Sequence, residues 1–200
     1  MNLGRKWTIF LGIATVIAAI AIYGIRLIQR GFSTRDQPSV AEVFVAQKAR
    51  RWAMPAGARN LKNPVPATAE MLEHGRSHWA DHCATCHANN GSGQTEIGRN
   101  LYPKTPDMRG PDTQSLSDGE IHYVIRNGVR MTGMPAWGSP ADGDHDDDTW
   151  MLVLFIRHLP QLTASEEKEM EKFNPKSAAE HEEEQEEEDF LNGKPLKSKH

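Results

Sequence analysis

Apolar residues are concentrated in one uninterrupted run close to the N-terminus, while the rest of the chain mixes apolar and polar positions. Residues Trp7 to Ile25 carry no charge. A helix of that length extends about 28 Å, close to the roughly 30 Å hydrocarbon core of a bilayer. Trp7 and Tyr23 fall near its two ends, where amphipathic aromatic side chains favour the membrane interface. The pattern predicts one transmembrane anchor within residues 1–30.

The alternative for this run is a cleavable signal peptide, since Ala19-Ile20-Ala21 is an A-x-A pattern. The run is longer than the usual apolar region of a signal peptide and continues past that site, which favours an uncleaved anchor. Charge alone does not orient the anchor, because positive side chains flank it on both sides: Arg5 and Lys6 before it, and Arg26, Arg30 and Arg35 after it.

Beyond the anchor, the hydrophobic spacing predicts helices and no strands. Ser39–Trp52 has a helical period, and a proline-containing linker completes residues 31–65. A compact all-α domain is predicted over residues 66–174. The long loop His87–Ser117 is unusual in so small a domain unless something other than protein fills part of the core. The first helix of the domain is expected at Ala69–His82, with Thr68 as N-cap. The second runs from a capping box at Ser117 to Asn127, where Gly128 closes it. The third covers Asp146–Leu159, and the fourth runs from a capping box at Thr163 to about Phe173.

Charge changes this picture at the C-terminal end. Of the 27 acidic residues, 12 lie between Glu166 and Asp189, so the net charge of −4 belongs to the tail and the body is close to neutral. Residues 175–200 are therefore predicted to be an acidic, disordered, low-complexity tail. A steering role toward a basic redox partner is the functional alternative for this tail. We expect no nucleic-acid partner, and the single apolar run excludes a polytopic membrane protein.

The two cysteines, three positions apart, exclude a disulfide framework and stand in the sequence Cys83-Ala84-Thr85-Cys86-His87. This C-x-x-C-H pattern is the attachment signature of c-type haem. Two thiols on one turn can form thioethers with the two haem vinyl groups, and the adjacent histidine can then reach the iron. The alternatives are a thioredoxin-like redox pair, which lacks its βαβ context here, and half of a zinc site, which lacks a second Cys/His pair.

A second axial ligand for such an iron is predicted in the segment MTGMPAWG. Met134 precedes Pro135, whose fixed backbone would hold the thioether sulfur in place. Met131 is the rival ligand, and both methionines could instead fill gaps in the core. Ligation by histidine and methionine raises the potential and leaves no open coordination position, which suits electron transfer.

These residues resemble the class I monohaem cytochromes c, and in particular the membrane-anchored bacterial type. The resemblance covers about residues 66–165 and rests on CATCH, GMPAW and the closing DDDTWMLVLFIRHLP helix. It implies an all-α fold, thioethers at Cys83 and Cys86, His87 as proximal ligand and Met134 as distal ligand. Where many relatives carry Gly-Pro-Asn-Leu, with the proline carbonyl orienting the imidazole, this chain reads Gly98-Arg99-Asn100-Leu101. Pro103 or Pro106 is the expected substitute acceptor.

The sequence thus predicts a single-pass cytochrome c of the cytoplasmic membrane, carrying one covalently attached haem c in a domain that faces the periplasm, where haem is attached. It would transfer electrons to and from redox protein partners or within a membrane respiratory complex, and would make and break no substrate bonds itself. One alternative is a haem-based sensor of NO or CO, or a haem enzyme subunit. Another is a non-haem metal-binding protein that uses the C-x-x-C pair and histidines.

Several further residues have a functional and a structural interpretation. His74, His78 and His82 recur on one face of a predicted helix, as a metal site or as a solvated pocket rim. Acidic residues around His145 resemble a calcium loop, but they lack its ligand pattern and fit helix N-terminal charge compensation better. The arginine candidates for pairing with haem propionates or with an acidic partner are Arg99, Arg109, Arg126 and Arg130. The aromatic candidates for packing around the haem or in the core are Tyr102, Trp137 and Trp150, of which Trp137 is favoured for the haem pocket.

Overall fold

The computed structural model describes residues 3–29, 31, 33–139 and 146–192. The candidates Asp142, Asp144 and His145 lie outside these residues, as do Arg30 and the end of the tail beyond residue 192. The chain divides between Gln37 and Pro38 into two units, which are described separately below.

The first unit consists of one long helix, α1 (Leu3–Gln29). Its segment Lys6–Gln29 contains an 18-residue window with a mean hydropathy of 2.3 and is long and apolar enough to cross a membrane. The hydroxyl of Thr15 donates a hydrogen bond of 2.8 Å to the carbonyl of Leu11, so this polar group is satisfied within the helix. A lipid environment requires such internal satisfaction. The predicted N-terminal apolar helix is confirmed, and its length and composition fit a single membrane crossing.

The second unit contains helices and no strand among the described residues, which confirms the all-α prediction. Its elements are α2 (Val40–Ala53), α3 (Ala56–Asn60), α4 (Ala69–His78), a π-helical turn (Trp79–Cys83), α5 (Ala84–His87), α6 (Glu96–Asn100), α7 (Pro111–Gln114), α8 (Asp118–Asn127), α9 (Asp147–His158), a 3-10 turn (Leu159–Gln161), α10 (Ala164–Met170), a second 3-10 turn (Glu171–Phe173) and α11 (Ala178–Leu191).

Local capping signals fix most of the helix starts. The capping boxes predicted at Ser117 and Thr163 are both formed, with Glu120 and Glu166 closing them. Gly128 ends α8 with a φ of 66°, a left-handed conformation that glycine adopts without strain. Because each cap satisfies backbone groups that a helix end leaves open, these boundaries follow from residues only three positions apart.

The core forms where α4 packs against α9. The apolar run of α9 buries almost its whole inner surface, and Phe155 is fully enclosed. The rings of Trp79 and Phe155 lie 5.6 Å apart between centroids. Buried aromatic and branched side chains of this kind dominate the stability of a small domain. The crossing therefore forms the scaffold on which the residues following Trp79 are placed.

The chain after α9 is also tied to this core. Met170 is fully buried, and Arg76 on α4 forms ion pairs with Glu166 and Glu169 on α10. The side-chain amide of Asn174 donates hydrogen bonds of 2.9 Å to the Ala80 carbonyl and to the amide oxygen of Asn89. The segment up to Asn174 thus closes over the end of α4.

The acidic segment differs from the disorder predicted for it, because Ala178–Leu191 form α11. A capping box of Ser177 and Glu180 starts this helix, and Lys176 pairs with Glu184. Alanine, glutamate and glutamine are strong helix formers, and an acidic first turn suits the helix dipole. The prediction of disorder rested on low complexity and acidic composition, whereas the helix depends on its capping box and its helix-forming residues.

Candidate haem site

The attachment motif lies at the end of the helix that forms the core. The prediction placed one helix over Ala69–His82, whereas the chain is α-helical to His78 and then takes a π-helical turn that ends at Cys83. Cys86 and His87 follow in α5. The indole Nε1 of Trp79 donates a 3.0 Å hydrogen bond to the carbonyl of Ala88, the residue that ends α5 with a φ of 63°. One buried tryptophan thus fixes both ends of the motif.

The two cysteines are free thiols in partly buried positions. Burial, together with the neighbouring Cys86, raises the pKa of Cys83 to about 12, and burial also raises the pKa of Cys86. Redox-active cysteines have the opposite property, a lowered pKa that makes the thiolate available. This environment does not fit a thioredoxin-like pair.

The His87 imidazole is partly buried beside Trp79, with ring centroids 5.4 Å apart. Burial lowers its pKa to about 4, so the ring is neutral at neutral pH and can act as a ligand. Its Nδ1 atom is buried and has no hydrogen-bond partner among the described residues. Buried polar atoms are nearly always paired in folded proteins. A neutral imidazole directly after two partly buried thiols can bind the iron of a covalently attached group through its other ring nitrogen, Nε2, which leaves Nδ1 to seek a hydrogen-bond acceptor.

The predicted carbonyl acceptor for His87 does not occur in the described part of the chain, since neither Pro103 nor Pro106 accepts a hydrogen bond from Nδ1. Other contacts hold the segment instead. The amide of Gly93 donates to the His87 carbonyl at 2.8 Å, and the Thr95 hydroxyl donates to the Cys86 carbonyl at 3.2 Å. The backbone of the motif is therefore held more firmly than its imidazole.

Gly98 allows the loop after the motif to come this close. A Cβ atom at this position would lie 2.4 Å from the Cys86 carbonyl oxygen and 2.5 Å from that of Gly93. Thr95 also caps α6 by accepting a hydrogen bond from the Gly98 amide at 2.8 Å. Sequence reasoning did not single out Thr95, and the signal available was its N-cap position three residues before Gly98.

The two candidate methionines differ in environment. Met131 is 91% exposed and has a φ of 61°, whereas Met134 is partly buried. The Met134 backbone is held on both sides, because its carbonyl accepts a hydrogen bond from Val129 at 3.1 Å and its amide donates to the Thr132 hydroxyl at 3.1 Å. Of the two, Met134 has the more suitable environment for a side chain that binds a metal ion inside the protein.

Trp137 lies next to the attachment motif. It lines a cleft of about 120 Å³ together with Cys83, His82 and Leu152. Its ring meets the edge of the His82 ring at 5.6 Å between centroids, and its amide donates to the Ile125 carbonyl at 3.1 Å. The other two aromatic candidates lie elsewhere. Trp150 is a core residue stacked on His122 at 4.0 Å between ring centroids, and the Tyr102 hydroxyl donates to Glu42 at 3.1 Å.

Among the arginine candidates, Arg126 connects the methionine loop to α9. Its Nη1 lies 3.6 Å from an Asp146 carboxylate oxygen, and its Nη2 donates to the Ser139 carbonyl at 3.2 Å. Asp146 in turn caps α9 through Thr149. The others are local or exposed: Arg99 donates to the Gln94 carbonyl, Arg109 pairs with Asp107, and Arg130 is exposed.

The histidine row lines a surface cleft. His74, His78 and His82 border it together with Asp81 and Asp148. The rings of His78 and His82 lie 4.7 Å apart between centroids. Within the described residues, no group of three or more histidine, cysteine or acidic side chains is arranged to hold a metal ion.

Comparison with known families places this geometry in a class. Residues 70–156 match the family model described as cytochrome c oxidase, cbb3-type, subunit III. The match covers less than half of the chain but includes α4, the attachment motif, the methionine loop and most of α9. A comparison with curated proteins gave no match.

The fold and the match together define a cytochrome c domain. Such a domain carries a covalently bound c-type haem with its iron, and Cys83 and Cys86 are present in the arrangement that this attachment uses. The domain supports haem-based electron transfer, by a carrier or by a subunit of a redox complex.

Proposed function

We propose that this protein is a membrane-anchored electron-transfer cytochrome c with one haem, which works with redox partners or as part of a respiratory complex on the periplasmic side of the cytoplasmic membrane. The observation that carries the proposal is the His87 imidazole, which packs against Trp79 directly after two partly buried thiols that lie three positions apart.

Four side chains have assigned roles in this proposal. Cys83 and Cys86 would hold the haem through thioether bonds, and His87 and Met134 would bind its iron. The raised pKa of each thiol disfavours thiolate redox chemistry at this pair, and the C-x-x-C-H spacing supports covalent attachment. The partial burial and the two backbone hydrogen bonds of Met134 support its choice over the exposed Met131.

When bound, the haem would supply one-electron redox chemistry. The chain itself positions the motif and surrounds it. Trp79 packs against the His87 imidazole, and Thr95 donates a hydrogen bond to the backbone of the motif, which the loop at Gly98 approaches closely. Trp137 lines the cleft beside Cys83. Met134 as a second iron ligand would favour electron transfer over binding of small ligands. No proton has to move at any residue in this scheme.

The membrane assignment rests on α1. Its length and hydropathy fit one crossing, and haem attachment outside the cytoplasmic membrane would put the cytochrome domain on the periplasmic side. The short N-terminal side with Arg5 and Lys6 would then be cytoplasmic. The match to a cbb3-type oxidase subunit III family supports a place beside a respiratory complex.

The ligand assignment is tested by Met134→Ala and the matched variant Met131→Ala in the detergent-solubilised holoprotein. We expect the weak red absorption band of methionine-ligated ferric haem to be lost in Met134→Ala and kept in Met131→Ala. A pyridine haemochrome spectrum should show the same covalently bound haem in both variants. Retention of the band in Met134→Ala would contradict the assignment.

The same samples separate electron transfer from sensing. The wild-type reduced protein should not bind CO readily at neutral pH, whereas Met134→Ala should bind it, because the substitution opens an axial position. Ready binding of CO by the wild type would favour a small-ligand sensor. Absence of covalently bound haem from the wild type would instead favour a non-haem protein.

A further inference from the structure

The helix α2 presents two different faces. One side of the helix carries Val43, Gln47 and Arg50, and Met54, which follows the helix, lies on the same side. This side turns toward the protein, since Met54 is only 6% exposed and Gln47 and Arg50 are partly buried. The other side turns to solvent and carries a separate set at helical spacing: Ala41, Phe44, Val45, Lys48 and Trp52. We call this second set the outer face of α2.

The outer face is apolar and aromatic although it is exposed. Phe44 is 60% exposed, Val45 63% and Trp52 91%. A large apolar side chain exposed singly is ordinary, but a continuous face of them on one helix marks an interaction surface. No helix of the described chain covers this face, because its side chains are exposed, whereas Gln47 and Arg50 on the other side are partly buried. Glu42, outside the outer face, accepts a hydrogen bond from Tyr102.

Positive charge accompanies the apolar side chains. The Lys48 ammonium lies 5.7 Å from the centre of the Phe44 ring, and Arg50 and Arg51 occupy the last turn of the helix. Residues 26–62 contain eight lysines and arginines against two acidic residues. A helix with aromatic and aliphatic side chains on one face and cations beside them has the composition of an interfacial helix, which binds anionic lipid headgroups while its apolar side chains enter the acyl boundary.

Chain connectivity favours a bilayer over other occupants. Ten residues join the end of α1 at Gln29 to the start of α2 at Val40. A membrane-spanning α1 therefore keeps α2 within reach of the bilayer surface. An acidic protein surface would suit the cations but would leave Trp52 and Phe44 without an apolar environment.

We propose that α2 lies on the surface of an anionic lipid bilayer, with Phe44, Val45 and Trp52 inserted at the headgroup boundary and Lys48 and Arg51 beside the lipid phosphates. This inference rests on the proposed anchoring of α1. The bound helix would keep the cytochrome domain, to which it is connected through Tyr102 and Met54, near the membrane plane. A cytochrome held in this way would find membrane-embedded partners by lateral diffusion.

The test uses single spin labels on the full-length holoprotein. Because haem attachment consumes both native thiols, a cysteine introduced by Ala41→Cys or Ala46→Cys provides the only free thiol. Both alanines are exposed, but position 41 lies on the outer face and position 46 does not. A third variant, Ala18→Cys, reports on α1. Each protein is reconstituted into vesicles of equal parts phosphatidylcholine and phosphatidylglycerol, and the access of oxygen and of a water-soluble nickel complex to the label is measured.

We expect the label at position 41 to be protected from nickel and accessible to oxygen, and the label at position 46 to be accessible to nickel. Equal nickel access at 41 and 46, with the label at 18 protected, would overturn the proposal while leaving the anchor intact. Nickel access at 18 would instead show that the anchor itself fails. Protection at 41 accompanied by spin–spin broadening, which disappears on dilution with unlabelled protein, would assign the face to a second copy of the chain. Equal protection at 41 in pure phosphatidylcholine would overturn the requirement for anionic lipid.

Discussion

The close crossing of α4 and α9 gives a sharp stability prediction at Gly75. A Cβ atom at this position would lie 2.2 Å from the carbonyl oxygen of Met151 and 2.7 Å from its carbonyl carbon. Both are backbone atoms, so Gly75→Ala can be accommodated only if the two helices separate. The effect should appear in the free energy of unfolding of the whole domain, because this crossing forms its core.

The magnitude follows from two opposing terms. Overpacking a well-packed core costs about 1–3 kcal/mol, and a clash with backbone belongs at the upper end of that range. Replacing glycine by alanine inside a helix returns about 1 kcal/mol through helix propensity. We therefore expect a net loss of about 2 kcal/mol, and a Tm lower by about 10 °C for a domain of this size.

The assay is thermal unfolding of the detergent-solubilised holoprotein followed by circular dichroism, with Gly57→Ala as the matched control. Gly57 lies inside α3 with nothing within 4 Å of its Cβ position, so the same substitution should leave the Tm unchanged or raise it. If Gly75→Ala unfolds at or above the wild-type Tm, the close backbone contact does not exist in the folded protein.

Two further predictions concern the C-terminal part of the domain. Met170→Ala removes a fully buried side chain and should lower the free energy of unfolding by about 2–5 kcal/mol. The control Met131→Ala, at an exposed position, should change this free energy by less than about 0.5 kcal/mol. Urea unfolding measures both variants, and equal values would show that α10 does not belong to the core. Burial alone would raise the pKa of Glu166, but hydrogen bonds from Thr163 and His158 hold it below its usual value. The stability that Glu166 contributes is present above the ordinary carboxyl pKa and is lost as the pH falls through the lowered value. Between neutral pH and about pH 3, the free energy of unfolding of Glu166→Gln should therefore fall less than that of the wild type. Parallel pH profiles of the two proteins would contradict this.

The elements predictable from sequence were those with local causes. The capping boxes at Ser117 and Thr163 lie within four residues of the helix ends that they determine, and the C-x-x-C-H motif needs no tertiary information. The π-helical turn before Cys83 and the packing of Ala58 in α3 against α8 could not be found in this way. Both depend on contacts between segments far apart in the chain, which single-sequence periodicity does not report.

The contact of Arg126 with Asp146 was missed for the same reason. Twenty positions separate the two residues, and the pattern around Asp146 indicated only a favourable charge at the start of a helix. In the structure the Asp146 carboxylate has two further contacts. It caps α9 by accepting from the Thr149 amide, and it faces the Arg126 guanidinium, which donates to the Ser139 carbonyl in the methionine loop. A charge predicted to act locally therefore also links two parts of the candidate site.

The segment Gly98-Arg99-Asn100-Leu101 explains why the environment of His87 departs from the expected one. The Arg99 amide donates a 3.1 Å hydrogen bond to the Thr95 carbonyl, the first bond of α6. Proline, which the resembling cytochromes carry here, has no amide hydrogen and could not make this bond. Arginine thus permits a helical turn at this position, and no carbonyl of the described chain accepts from His87 Nδ1. The orientation of the imidazole then depends on its packing against Trp79, whose own position is fixed by the hydrogen bond to Ala88.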